Sequence, residues 1–410
     1  MSVSSARAVA LEALREWRES RAFADAIIQR LLRHSPLGDA DRHFAQELFY
    51  GVIRHLRRLD FFIAQLREGS IDPASRDLLR LGFYQLFHLT TPSHAAVFET
   101  VALAAPRSRA LVNAILRSAL RQHDHLAEKL RAATLGVRES HPDFLIERWR
   151  EHWGDDATEA LCLWNNQPAP LYVRLHTTKI TREEFLSQNA TARTVDAHPL
   201  FVHCETLPRD AIERGLCYVQ DPSTALAVDL MGVKNSERVL DACAAPGGKT
   251  SYLATLTEAE VVATDFVETR LRRLQSNIDR LGLSNVRIEE RDWLEARPAT
   301  ELFDKILVDV PCTNTGVARR RVDVRWRLQP GDFERMPREQ LAIFAATLPS
   351  LRVGGEIVYS TCSLEREENE GVVGTILSAH PELELQTTRS AWPFRDGCDG
   401  AFAARFGRRR

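Results

Sequence analysis

From residue 238 onward short hydrophobic runs alternate with amphipathic stretches, and this rhythm constrains the fold more than any other feature of the chain. The strand-like runs are RVLDACA, EVVATDF, NVRIEERD, DKILVDV, GEIVYSTC, LELQT and GAFAARF. Helical stretches, among them GKTSYLATL, ETRLRRLQSNIDRLG, PREQLAIFAATLPSLR and REENEGVVGTILSAH, fall between most of them. Buried strands joined by helices predict a mostly parallel sheet covered on both faces. Such sheets bind ligands beyond the carboxyl ends of their strands, so the residues after each strand are where chemistry is to be sought.

The first strand runs into DACAAPGGKT, a loop of Asp241, Cys243, Ala244, Ala245, Pro246, Gly247, Gly248, Lys249 and Thr250 that opens a helix. Paired glycines let a ligand approach the backbone closely, and a helix start offers free N–H groups. Three nucleotide readings stand at this point. A phosphate-binding P-loop would need glycine where Cys243 stands, and ILVD at 306–309 would imitate the metal-binding strand of such an NTPase. A dinucleotide site would need G-x-G-x-x-G, which is absent. An S-adenosylmethionine site would need a carboxylate ending the second strand to hold the ribose hydroxyls. Asp265 of VVATDF stands there, and Asp292 of EERDW ends the third strand, where it would accept from an adenine amino group.

The next two strands end in VDVPCTNTGV and YSTCS, which place Cys312 and Cys362 in similar settings. C5 of a pyrimidine is a poor nucleophile. A thiolate added at C6 turns C5 into an enamine carbon able to take a methyl group, after which a base removes the C5 proton and the thiol leaves. A free thiol with a pKa of about 8.5 needs help to ionise, from a helix start or from a cation such as Lys249. Position after a strand leaves the two cysteines equivalent.

Upstream, residues 1–135 read as all helix. In FAQELFYGVIRHLRRLDFFIAQL the apolar positions Phe44, Leu48, Val52, Leu56, Leu59, Ile63 and Leu66 form one stripe, with Arg54, Arg57 and Arg58 off it as a solvated face or a phosphate-contacting ridge. This end carries 19 Lys+Arg against 14 Asp+Glu within a chain of net charge -2, which suits a polyanionic partner. Residues 136–165 read as a helical linker. Prolines at 168 and 170 then stop the helix, and 166–235 reads as a small α+β module with a capping box at Thr181 and Glu184. The catalytic part is expected to span 236–410. Seven cysteines without a C-x-x-C pair exclude the usual zinc spacings and favour reduced thiols. With no run of about 18 apolar residues and no signal-peptide core, the expectation is a cytoplasmic protein without membrane or metal partners, working as a monomer.

Taken together, DACAAPGGKT, DVPCTNTGV and YSTCSLEREENE resemble the RNA cytosine-C5 methyltransferases, and ELFYGVIRHLRRLDFFI resembles the NusB-type RNA-binding domain. The combination is similar to the Sun/Fmu-type small-subunit ribosomal RNA methyltransferases over essentially the whole chain. The resemblance implies a multidomain protein: an all-α NusB-like domain, a small α+β module and an α/β Rossmann-like class I methyltransferase domain. It implies S-adenosyl-L-methionine as cofactor, held by Cys243 to Lys249, Asp265, Asp292 and Asp309, with a cytidine of 16S ribosomal RNA as substrate. It further implies Cys362 as nucleophile and Cys312 as the thiol that assists product release, with Asp309 and Lys249 also catalytic. Transfer RNA as substrate, a P-loop-like NTPase and an idle RNA-binding assembly factor are the alternatives. The chain departs from the family pattern at Val310, Thr313 and Asn314, and again at Arg321 and Val322. The basic run Arg319, Arg320, Arg321, Arg325 and Arg327 is expected to touch RNA, and Trp293 and Trp326 are candidates either to stack on bases or to lie in the core.

Overall fold

A computed structural model describes residues 5–196, 198–295 and 297–409. The chain divides into two compact units, Met1–Gln167 with Ala318–Arg327, and Pro168–Val317 with Leu328–Arg410.

The first unit is helical: α1 (Ala6–Glu19), α2 (Ala24–Arg33), α3 (Asp39–Arg54), α4 (Leu56–Leu66), α5 (Pro73–His88), α6 (Ser93–Ala102), α7 (Pro106–Arg121), α8 (His123–Arg131), α9 (Leu135–Arg138) and α10 (Asp143–Asn166). Their apolar faces, including Ala10, Leu14, Ile28, Leu48, Phe49 and Leu116, close into one core. The stripe read as continuous from Phe44 to Leu66 belongs to two helices that break at His55 (φ -106°, ψ 18°). A break that preserves the spacing of apolar positions leaves no trace in a periodicity pattern. Just after it, Arg57 grips Asp143 through both guanidinium nitrogens, at 2.7 and 2.6 Å, and Arg58 donates to the Arg138 carbonyl at 2.7 Å. These arginines tie α4 to α9 and α10, which is neither role expected of them.

The second unit begins with β1 (Leu171–Leu175), α11 (Arg182–Gln188), β2 (Arg193–Thr194), β3 (Phe201–Cys204), α12 (Arg209–Glu213), β4 (Cys217–Val219) and α13 (Ala225–Met231). The four strands form an antiparallel sheet in the order β2-β3-β1-β4. Thr181 and Glu184 form the expected capping box at the start of α11. There follow β5 (Val239–Asp241), α14 (Gly248–Leu253), β6 (Val261–Asp265), α15 (Glu268–Leu281), β7 (Val286–Glu290), β8 (Phe303–Asp309), α16 (Val324–Arg327), α17 (Asp332–Thr347), β9 (Leu351–Thr361), α18 (Val372–Ala379), β10 (Leu383–Ala391), α19 (Pro393–Asp396) and β11 (Ala401–Arg408). The seven strands order as β10-β11-β9-β8-β5-β6-β7, parallel from β9 through β7 and antiparallel where β11 meets β9 and β10. Because β5, β6, β8 and β9 run the same way, their carboxyl ends converge on one edge.

Only α16 and its flanks leave this unit. Residues 318–327 belong to the helical unit, which a linear division into 1–135, 136–165, 166–235 and 236–410 does not anticipate. Val322 enters the helical core, and Trp326 packs on it while donating Nε1–H to the Ile53 carbonyl at 2.8 Å. Asp323 accepts from the Ala24 N–H at 2.8 Å and from the Trp17 indole at 3.3 Å. Arg325, 1% exposed, donates to the Asn165 carbonyl at 2.9 Å and to the Asn166 side chain at 2.8 Å. Arg327 reaches the carbonyls of Trp17, Ser20 and Ala22.

Candidate active site

The site is assembled at the carboxyl edge of the parallel strands, and register explains its central feature. β8 and β9 are neighbours with Asp309 opposite Ser360, and the ladder continues one residue further as Val310 donates to the Ser360 carbonyl at 3.1 Å. Two loops leaving adjacent strands at the same level are bound to run side by side. Gly316 then donates to the Cys362 carbonyl at 3.0 Å, and a β-carbon on Gly316 would stand 2.6 Å from that oxygen, so only glycine permits this approach. The two sulfurs end 3.2 Å apart.

At this distance the two thiols are electrostatically coupled. The Cys312 thiol is pushed well up by its hydrogen bond with Cys362 and by burial. A protonated Cys312 can donate a hydrogen bond to a Cys362 thiolate across this distance. Lys249, the first lysine of α14, donates to the Asp309 carboxylate at 2.6 Å. Burial lowers the lysine's pKa, but Asp309, the nearby Cys362 and Asp241 outweigh that and hold it above its ordinary value. A persistent ammonium thus faces the nucleophile candidate, as ionisation of a thiol requires. Asn314 was noted in the sequence only as a departure from pattern. In the left-handed region (φ 58°) it donates to the Cys312 carbonyl at 2.6 Å, and its Oδ1 accepts from Cys362 at 3.3 Å. Asparagine tolerates that conformation better than most residues, which was the available signal.

The loop from Cys243 to Lys249 lines the same edge. Gly247 has φ 100°, and a β-carbon there would meet Leu274 Cδ1 at 2.6 Å. A β-carbon on Gly248 would lie 3.0 Å from the Gln220 amide. Burial, with Asp241, Asp309 and Asp265 adding to it, raises the Cys243 thiol, which argues for a neutral wall. Asp265 accepts from the N–H groups of Phe266 at 3.0 Å and Val267 at 3.2 Å, leaving Oδ2 to Arg270 at 3.1 Å. Asp292 follows β7 and accepts from the Leu294 N–H at 2.9 Å. A narrow glycine cradle, a carboxylate ending β6 and buried Asp241 Oδ1, which has no hydrogen-bond partner among the described residues, fit a ligand with hydroxyl and cationic groups.

Other expectations fall elsewhere. Arg319 is buried with its guanidinium 4.0 Å from the Trp164 ring, and Arg325 is buried as described. This corrects the reading of 319–325 as a cationic surface run: carbonyls and an indole face take up the charge, and Arg321 alone of the four is exposed. Trp293 lies in the core with Nε1–H on the Thr264 hydroxyl at 2.9 Å, so neither tryptophan is a stacking platform. Among the described residues no group of three or more His, Cys, Asp or Glu is arranged to hold a metal, and no helix is long and apolar enough to cross a membrane.

A glycine cradle after β5 and a carboxylate ending β6 are shared with dinucleotide-binding sheets, but the absent G-x-G-x-x-G and the antiparallel β11 inserted between β9 and β10 place this fold and site among the S-adenosylmethionine-dependent methyltransferases. Comparison with known proteins narrows this. A sequence model described as 16S rRNA methyltransferase RsmB/F matches residues 228–406, a NusB family model matches 4–121, and a ferredoxin-like domain of RsmF/B-like methyltransferases matches 141–204. The ribosomal RNA small subunit methyltransferase B of Proteus mirabilis is 32% identical, with 97% of each chain covered. That of Yersinia enterocolitica is 35% identical over 90% of this chain and 91% of its own. The solved structure of PH0851 shares the fold, with a TM-score of 0.80 and 24% identity over 98% of each chain. The chain belongs to the ribosomal RNA small subunit methyltransferase B family.

Proposed function

We propose that this chain transfers the methyl group of S-adenosylmethionine to C5 of a cytidine in small-subunit (16S) ribosomal RNA, with Cys362 as nucleophile. The observation that carries the reading is the 3.2 Å separation of the Cys312 and Cys362 sulfurs at adjacent strand ends, beside the Lys249–Asp309 pair. The named activity of the Proteus and Yersinia relatives supports the choice of RNA.

On this reading the Cys362 thiolate adds to C6 of an unstacked cytosine, and the C5–C6 electron pair moves onto the ring, where the Lys249–Asp309 pair compensates the charge near N3. Bound in the cradle of Cys243, Ala244, Ala245, Pro246, Gly247 and Gly248, with Asp265 on its ribose and Asp292 at its adenine, the cofactor supplies an electrophilic methyl group. C5 takes that methyl. Water then takes the C5 proton, the double bond re-forms and the carbon–sulfur bond breaks. Cys362 leaves as thiolate while Cys312 donates an S–H hydrogen bond to the departing sulfur across the 3.2 Å contact. Arg320 and Arg321 are retained as RNA contacts.

The test uses the purified protein, 16S ribosomal RNA and S-adenosylmethionine, resolved on a denaturing gel. Cys362→Ala should form no covalent complex, and Cys312→Ala should accumulate one containing methylated RNA. A shifted band from Cys362→Ala would reverse the two roles. Bisulfite sequencing of cells lacking the gene should lose 5-methylcytidine from ribosomal RNA, whereas loss from transfer RNA alone would move the substrate.

A further inference from the structure

Six residues beyond Cys362 lies a carboxylate that the chemistry above does not use. Glu368 is fully buried, although it sits in the acidic run EREENE. Its carboxylate accepts from the Thr313 backbone N–H at 3.0 Å, the Thr313 hydroxyl, the Ser363 hydroxyl at 2.6 Å and the Gln340 amide at 2.7 Å. All four donors are neutral. Thr313 directly follows Cys312, and Ser363 directly follows Cys362. One carboxylate therefore holds both cysteine loops by the residue next to each sulfur. Gln340 extends the grip, since the same amide donates to the Pro311 carbonyl at 3.0 Å, on the other side of Cys312. Tyr359 steadies the group from below, donating to Gln340 Oε1 at 2.9 Å; its hydroxyl also lies 2.6 Å from the Glu368 carbonyl.

We propose that Glu368 is a positioning residue that fixes Cys312 against Cys362, and that product release depends on it. The inference rests on the roles assigned above to the two sulfurs. A buried carboxylate is retained at a cost in desolvation, and here its geometry joins two loops that carry reacting groups rather than two elements of the core. A displacement of about 1 Å between such groups costs on the order of 100-fold in rate. Glutamine keeps the volume of Glu368 but presents an NH2 to donors that need an acceptor.

The experiment compares full-length wild type, Glu368→Gln, Thr313→Val, Thr313→Ser and Cys312→Ala. Glu368→Gln should bind S-adenosylmethionine as the wild type does, attach to RNA, and release it roughly 100-fold more slowly, so that covalent complex accumulates. Thr313→Val should accumulate less, and Thr313→Ser, which keeps both donors, should behave as wild type. A readout independent of methyl transfer is oxidation by diamide, which converts the two thiols to a disulfide and is itself reduced to the hydrazine. Glu368→Gln should form the Cys312–Cys362 disulfide at least several-fold more slowly, as read by peptide mapping. Normal release by Glu368→Gln while Cys312→Ala accumulates complex overturns the proposal. So does unchanged disulfide formation, or a Glu368→Gln protein that loses attachment together with cooperative melting. If Cys312→Ala accumulates nothing, the assignment of the sulfurs fails, and the diamide rates alone then decide the clamp.

Discussion

Replacing Asp241 with asparagine should stabilise the protein above neutral pH and do little in acid. Asp241 ends β5 only 1% exposed; Oδ2 accepts from the Thr250 hydroxyl at 2.7 Å and Oδ1 has no partner among the described residues. Burial pushes its carboxyl from 3.8 up to about 7; Asp309 and Asp265 reinforce the rise, and the Thr250 hydroxyl and Lys249 oppose it. For an acid with a raised folded pKa the sign is a penalty. It is absent below the unfolded pKa, grows as pH rises between the two values, and is complete above the folded one. A gap of this size amounts to ~2 kcal/mol at about pH 5 and ~4 kcal/mol at about pH 8. Asparagine carries no such penalty, but its NH2 replaces the unpartnered oxygen as a buried donor and costs ~1–3 kcal/mol at either pH. That cost cancels in the comparison. Urea unfolding of wild type and Asp241→Asn should give a stability difference that shifts in favour of the variant by ~2–3 kcal/mol between about pH 5 and pH 8. A difference independent of pH would refute the reasoning.

Two more predictions concern other parts of the chain. If Asp265 holds the cofactor ribose as proposed, Asp265→Asn leaves one acceptor for two hydroxyls and should weaken S-adenosylmethionine binding by roughly ten-fold or more in calorimetry. Asp323→Ala removes the acceptor of the buried Ala24 N–H and should cost the helical unit ~2 kcal/mol, whereas Asp323→Asn should cost clearly less, as followed by hydrogen exchange in α1 and α2.

Strand-to-helix alternation, and with it the edge where Asp265, Asp309, Cys312 and Cys362 collect, was legible because a parallel sheet leaves its functional residues directly after hydrophobic runs. Resemblance, not spacing, distinguished the two cysteines; the structure adds their 3.2 Å contact. Charge patterning misled at the basic run. The arginines around 319–325 read as a surface, yet partners far off in sequence, such as Asn165 and Trp164, bury two of them. Glu368 drew no reading from the sequence, because nothing local reveals that Thr313 and Gln340 will close over it. The break at His55 was invisible for the opposite reason, since both helices keep the same apolar spacing across it.

The excursion of residues 318–327 into the helical unit also sets an order of events during synthesis. A ribosome that has made Gln167 has delivered ten helices, but not the acceptor for the Ala24 N–H, the indole donor for the Ile53 carbonyl, or Val322 for the core. About 150 further residues must be added before these arrive, and at about 5–20 residues per second that takes on the order of 10–30 seconds. The first unit to emerge therefore stays unfinished until residue 327 has been made, when most of the second has already left the ribosome. Its last piece arrives with the sequence that immediately follows the Cys312 loop.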